Sequence, residues 1–168
     1  MEAIIRPYHP TDIGACRALW AKLTQAHRDL YEDQTIGGET PDVWFDWHLS
    51  DPRLAGLWVA EVEGQVVGMV GLLIEGEEGE IEPLVVAKGH RHQGVGSQLL
   101  NHAVREARKP GLRFLSVRPV ARNAAAIALF VEAGFRLLGR IELFQEMDPS
   151  SARLYPLRTV RPRSKGLP

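Results

Sequence analysis

Two stretches of this chain have the residue types and spacing for chemistry. The first is Arg91-His92-Gln93-Gly94-Val95-Gly96, leading into Ser97. It follows an apolar run ending at Leu84-Val85-Val86 and precedes an amphipathic segment from Ser97 to Val104. A strand, a glycine-bearing turn and a helix start together aim unpaired backbone N–H groups, and the positive end of the helix dipole, at one point. Gly94 and Gly96 lack a Cβ, so an anion can approach the chain closely. The natural occupant is a phosphate, and the plainer alternative is a tight strand–helix connection. The second stretch is Glu80-Ile81-Glu82, just upstream. If no bulge intervenes, both carboxylates share strand parity with Leu84 and Val86. Paired acids on one face hold a cation, and one of them can have a raised pKa and act as a base. The alternative is a solvated strand end continuing the acidic run Glu75, Glu77, Glu78.

The elements that must position these groups are legible from pattern. Ala3 to Arg6 reads as a strand stopped near Pro7 and Pro10. Thr11 or Asp12 caps a helix with Ile13, Cys16, Leu19, Trp20 and Leu23 at helical spacing. Glu32 to Glu39 is a polar loop. Thr40-Pro41 starts a second helix carrying Val43, Trp44 and Trp47 and ending before Pro52. Leu57–Val62 and Val66–Ile74 flank Glu63-Gly64-Gln65 as a hairpin, and Glu80–Val86 is the next strand. The helix after the glycine turn runs to about Arg108. Leu112–Val117 is a strand, and Asn123–Ala133 is a helix ended by Gly134. Phe135–Met147 supplies one or two closing strands. This is not the regular βαβ alternation of a dinucleotide fold. It predicts an α/β protein of α+β type, with a mixed, mostly antiparallel central sheet and helices on both faces.

The 168 residues suit one domain with a real core. We expect it to span 1–148, with a basic, Pro-containing tail over 149–168. That tail holds Arg153, Arg158, Arg161, Arg163 and Lys165 and, from Ser151 on, no acid. It suits RNA, an acidic partner or a neighbouring subunit, and the plainer reading is a disordered, solubilising extension. The whole chain has a formal charge of −1, which gives no global signature of nucleic-acid binding. Cys16 is the only cysteine, so no internal disulfide forms. No long apolar run or signal pattern is present, so the expectation is a cytoplasmic protein with no membrane partner.

Two rival phosphate motifs fail. A P-loop ends in Gly-Lys-Ser/Thr, whereas here Gly96-Ser97-Gln98 has no lysine. A Rossmann turn needs a third glycine, and Leu99 stands in its place. The run Leu84-Val85-Val86, then Arg91-x-x-Gly94-x-Gly96 and Leu99-Leu100, resembles the acyl-CoA motif of the GCN5-related N-acetyltransferases (GNAT family). Asn123-x-x-Ala126-x-x-Leu129-Phe130-x-x-x-Gly134-Phe135 is similar to that family's second motif. The resemblance covers Glu80 to Arg140 strongly, the first half in element order only, and nothing beyond Asp148.

The resemblance implies a cleft between strands 4 and 5 that takes acetyl-CoA as acyl donor. The amides of Arg91, His92, Gln93, Gly94, Val95, Gly96 and Ser97 would surround its pyrophosphate. Leu84, Val85 and Val86 would line its pantetheine arm through their backbone, and Asn123 would hydrogen-bond that arm. A backbone N–H near Val86 would polarise the thioester carbonyl. The acceptor would be a primary amine on a small molecule, peptide or protein, attacking directly in a ternary complex. Glu82, with Glu80 as its runner-up, would be the base. Phe130 departs from the tyrosine that many relatives use to protonate the leaving thiolate. It would pack under the cofactor instead, and Tyr8, Tyr31 and Tyr155 are the remaining hydroxyls. That departure keeps open a second function, a non-catalytic acyl-CoA-binding sensor. Arg118 and Arg122 could touch cofactor phosphates or be surface charge. Trp44 and Trp47, with Asp42 and Asp46, would border an acceptor pocket or form an aromatic core with solvated acids. A homodimer built on the last strands is compatible with the resemblance. His90, His92 and His102 match no standard metal spacing, so no metal is expected.

Overall fold

A computed structural model describes residues 3–139. Five strands form one sheet in the order β1-β2-β3-β4-β5: Ile4–Pro7, Leu54–Val62, Gln65–Glu75, Glu78–Val86 and Phe114–Ser116. The first four pair antiparallel, and β5 joins β4 in parallel. The sheet is therefore mixed and mostly antiparallel, as the patterning predicts. The β2–β3 turn is Glu63-Gly64, both at positive φ, the conformation a two-residue hairpin demands.

Helices cover both faces. Helix α1 (Ile13–Tyr31) and the short α2 (Val43–Leu49) pack on one side. Their cluster holds Cys16, Leu19, Phe45, Leu57, Val59, Met69 and Val85. Helix α3 (Val95–Arg108) and α4 (Ala124–Glu132) pack on the other. Val70, Ile81, Leu99, Leu100, Ala103 and Phe130 are central there, with Leu84 and Val86 against them. Cys16 is fully buried, and desolvation pushes its thiol up to about 12, so it is an inert core residue.

The start of α1 differs from the sequence expectation. A 3-10 turn, Pro10–Asp12, precedes the helix. His9 caps that turn, and Asp12 accepts the His9 N–H at 2.8 Å instead of capping α1. Asp12 also takes a two-pronged ion pair from Arg6 at 2.8 and 2.9 Å. Thr40-Pro41 forms a turn just ahead of α2, whose N-cap position is Asp42.

The expected aromatic core of α2 is also corrected. Phe45 and His48 face inward, while Trp44 and Trp47 are 50% and 71% exposed. Inward positions on a helix recur three or four residues apart, and Phe45 claims that face. Asp46 is not simply solvated: Arg17 grips it at 3.0 and 2.8 Å.

The end of α4 follows the glycine reading closely. Gly134 has φ 102. Its N–H donates to Val131, and the Phe135 N–H donates to Phe130. These are the two bonds of a Schellman motif, and the Phe130 and Phe135 rings meet edge-on at 5.9 Å. Phe135–Gly139 carries no strand. The remainder of the expected closing strands, Tyr155 and the basic tail lie outside the described residues.

Candidate functional site

Strand β5 meets β4 over only three rungs, Glu78↔Phe114, Gly79↔Leu115 and Glu80↔Ser116. Beyond Glu80 the two strands part, and the edge of β4 from Ile81 to Val86 has no ladder partner on that side among the described residues. The Ala87 N–H donates across to Val67 on β3. Because an antiparallel ladder uses alternate residues, the N–H of Val86 points the opposite way, into the fork. The Val86 carbonyl accepts the Arg91 Nε at 2.9 Å, which ties the following turn to the strand end.

That turn ends at Gly94, the N-cap of α3, at φ 81 and ψ −6. No side chain caps the helix. The N–H groups of Val95, Gly96 and Ser97 thus begin a helix with no internal partner. His92 is also left-handed, at φ 60. A Cβ on Gly96 would lie toward Leu129 and Val86, at 3.5 and 3.8 Å. Gln93 is turned back onto the Gly89 carbonyl. The unladdered strand edge and the uncapped helix start suit a ligand with an anion at one end and an extended, hydrogen-bonding arm at the other.

The other predicted cofactor residues divide by face. Leu84 and Val86 are half-buried on the α3 side. Val85 is buried on the α1 side, so only its backbone can serve the fork. Asn123 caps α4, accepting the Ala126 N–H at 3.1 Å. Phe130 is 8% exposed and packs in the α3-side core.

The shared parity expected for the two glutamates depends on an unbroken ladder, and the ladder breaks. Between Val70↔Leu84 and Leu72↔Ile81, β3 has only Gly71 whereas β4 has both Glu82 and Pro83. Pro83 has no N–H to offer a ladder, and a two-against-one bulge absorbs it. Ile81 consequently joins Leu84 in the α3-side core. Glu80 falls on the opposite face, where it lines a cleft with Arg53 and Leu73. Glu82 sits in the bulge, exposed.

The two carboxylates nonetheless feel each other. Partial desolvation, and then the charge of Glu80, raise the Glu82 pKa, and Arg118 and Arg53 oppose the rise. Glu80 is 8% exposed and pairs with Arg118 Nη1 at 3.2 Å. Arg118 is therefore a partner of Glu80. Arg122 reaches the Leu30 carbonyl at 3.1 Å and lies over the Tyr31 ring. Tyr8 stands edge-on to Phe45. His102 packs its ring against Trp58.

Patterning missed several groups around Glu82. Arg53 is fixed by Asp51 through Nε and Nη2 at 3.0 and 2.7 Å. His48 is 7% exposed, its ring lies 5.3 Å from Trp20, and burial lowers its pKa. Its Nε2 has no hydrogen-bond partner among the described residues. The signals were present but weak. Pro83 inside a strand marks a bulge, and Asp51-Pro52-Arg53 has turn chemistry. Nothing in a linear pattern links His48 to Gly71.

The family model for the acetyltransferase (GNAT) family matches residues 17–135. The human protein N-acetyltransferase 8 is 31% identical over 149 residues, covering 85% of this chain and 62% of its own length. The chain thus spans less than two thirds of that relative. A Pseudomonas aeruginosa protein named L-methionine sulfoximine/L-methionine sulfone acetyltransferase is 26% identical over 148 residues, 84% of each chain. PaiA N-acetyltransferase from Thermoplasma acidophilum, solved in complex with coenzyme A, superposes with a TM-score of 0.62 at 17% identity. That likeness covers 82% of this chain and 92% of the other. No helix among the described residues is long and apolar enough to cross a membrane.

Proposed function

The chain belongs to the acetyltransferase (GNAT) family, and on that premise we propose that it moves the acetyl group of acetyl-CoA directly onto a primary amine. The observation that carries this reading is the fork: β4 and β5 part just past Glu80, with the uncapped start of α3 following the end of β4 and Glu82 bulged near the root.

The N–H groups of Val95, Gly96 and Ser97, and those of the turn before them, bind the pyrophosphate. The pantetheine arm takes the place of the missing strand along β4, where Leu84 has outward backbone groups to pair with it. Asn123 has its oxygen committed to α4, so its amide N–H₂ is what it can offer that arm. Bound acetyl-CoA supplies an acyl carbon to which the amine nitrogen bonds as the C–S bond breaks, the sulfur keeping the electron pair. The Val86 N–H stands where negative charge grows on the acyl oxygen.

Glu82 supplies the missing proton acceptor. An alkylamine with a pKa of about 10.4 is neutral in only a few parts in ten thousand at pH 7, which corresponds to about 4–5 kcal/mol. A carboxylate raised above its ordinary range is better matched to taking that proton near neutrality. Cys16 plays no covalent part, since it is buried in the α1-side core.

Phe130 favours a second reading, a cofactor sensor without turnover, because it brings no hydroxyl to the leaving thiolate. A thiol pKa of about 8.5 makes the thiolate a tolerable leaving group unaided. Thiol release from acetyl-CoA, followed over a panel of amines, decides between the two. Release with at least one amine supports transfer; tight CoA binding with no release from any amine establishes the sensor.

A further inference from the structure

The root of the fork carries fixed charge of both signs. A cleft of about 410 Å³ lies there, lined by four carboxylates, Glu75, Glu77, Glu78 and Glu80, and by two guanidinium groups, Arg53 and Arg118, among others. That volume is in the ~300–1,000 Å³ range of small-molecule sites. The two arginines are in different states. Arg53 is committed to Asp51 through two nitrogens and has Glu75 at 3.9 Å from a third. Arg118 is 64% exposed, and its ion-pair partner among the described residues is Glu80, with Nη1 at 3.2 Å from the carboxylate. Its other donor hydrogens have no partner among the described residues and can face a ligand.

Glu80 is the opposite case. Its side chain is 10% exposed, and Arg118 is its ion-pair partner. Anything that draws Arg118 away must leave Glu80 with another cation, because stripping the partner from a buried charge is costly. A lone carboxylate ligand on Arg118 competes with Glu80 for the same positive charge and brings no cation in return. A lone amine satisfies Glu80 and leaves Arg118 to solvent. A molecule with an ammonium next to a carboxylate satisfies both at once, since it inserts into the pair and every charge keeps a partner.

We propose that the preferred acceptor is an α-amino acid, its carboxylate held by Arg118 and its amino group between Glu80 and Glu82. This assignment rests on the fork being the transfer site and adds the class of amine. Arg118 offers a planar fork matched to a carboxylate. The amino group is left beside the carboxylate that removes its proton. Arg118 binds the acceptor; it does not take part in proton transfer.

The test uses the full chain with acetyl-CoA and matched acceptors: common L-α-amino acids, their primary amides and their decarboxylated amines. For the best amino acid we expect kcat/KM to exceed that of its amide and amine by roughly 10- to 100-fold, the factor equivalent to a charge-assisted hydrogen bond of about 1.5–3 kcal/mol. In Arg118→Gln that ratio falls toward one, and in Arg118→Lys part of it returns. The same series is read without turnover, by the rise in thermal midpoint that each compound gives in the presence of CoA. Amides or amines that match the acids in both readouts overturn the assignment, as does an Arg118→Gln variant that keeps the ratio. Preferential binding of amino acids with no thiol release retains the subsite and overturns the transfer reading. Turnover of plain amines without preference does the reverse.

Discussion

Gly71 and Glu82 meet where the β3–β4 ladder breaks, so closely that a Cβ on Gly71 would run into the Glu82 carbonyl group. The same Cβ would stand 3.1 Å from His48 Nε2. Backbone on one side and a buried ring on the other leave no flexible neighbour to give way. We therefore expect Gly71→Ala to cost about 1–3 kcal/mol, the usual penalty for overpacking. In a chain of this size that lowers the thermal midpoint by roughly 2–4 °C per kcal/mol. Because the bulge presents Glu82, turnover should fall more than stability alone explains. A Gly71→Ala protein with an unchanged midpoint would show that the bulge relaxes freely.

Glu82→Gln removes the proposed base while keeping the shape of the bulge. We expect kcat/KM to drop by about 10²–10⁴. In the parent protein the rate must rise with pH as Glu82 loses its proton. Desolvation and Glu80 raise that pKa, so the rise lies above the ordinary carboxylate range, and in the variant it should vanish. A pH–rate profile of Glu82→Gln that overlays the parent's would remove Glu82 from the mechanism.

Gly94 holds φ 81 at the start of α3, and a side chain there is strained whatever space surrounds it. Gly94→Val should weaken CoA binding by at least about tenfold, since roughly 1–3 kcal/mol of strain shifts the turn amides. Gly89, on the same loop, has open space for a Cβ and no positive φ. Calorimetric titration of CoA into Gly89→Ala should give near-parental affinity. Equal losses in both variants would mean that the loop, rather than the Gly94 cradle, is being disturbed.

Asp12 links β1 to the entry of α1, and Arg6 holds its carboxyl below the usual carboxylate range. Its contribution is present above the unfolded pKa and is lost as pH falls through the lowered folded one. Asp12→Asn should thus destabilise by about 1–3 kcal/mol at neutral pH. Denaturant melts of the two proteins should converge as pH falls below the carboxylate range. A gap that stays constant with pH would assign the loss to packing instead.

The alternation and turn residues made most elements legible. Gly134 announced its Schellman motif, and Glu63-Gly64 its hairpin. These signals are local, and local chemistry satisfies them. The α2 aromatics misled because one inward face is too narrow for Trp44, Phe45 and Trp47 together, and a linear pattern does not say which wins. The glutamate pair was found, but its geometry was not. Parity is valid only while a ladder is unbroken, and one proline reversed the face of Glu80. Arg118 lies just past the end of β5, where no periodicity describes a side chain, so its link to Glu80 appears only in three dimensions.

The unladdered margin of β4 has a consequence for handling the protein. Bare strand edges recruit other strands, and proteins ordinarily shield them. Here the shield would be the donor itself, because among the described residues no strand covers that edge. Saturating CoA, at about 100 times its Kd, should add about 2.7 kcal/mol of stability. It should also suppress self-association on storage, which light scattering with and without CoA would reveal. Solubility and donor supply would then be coupled through one stretch of backbone.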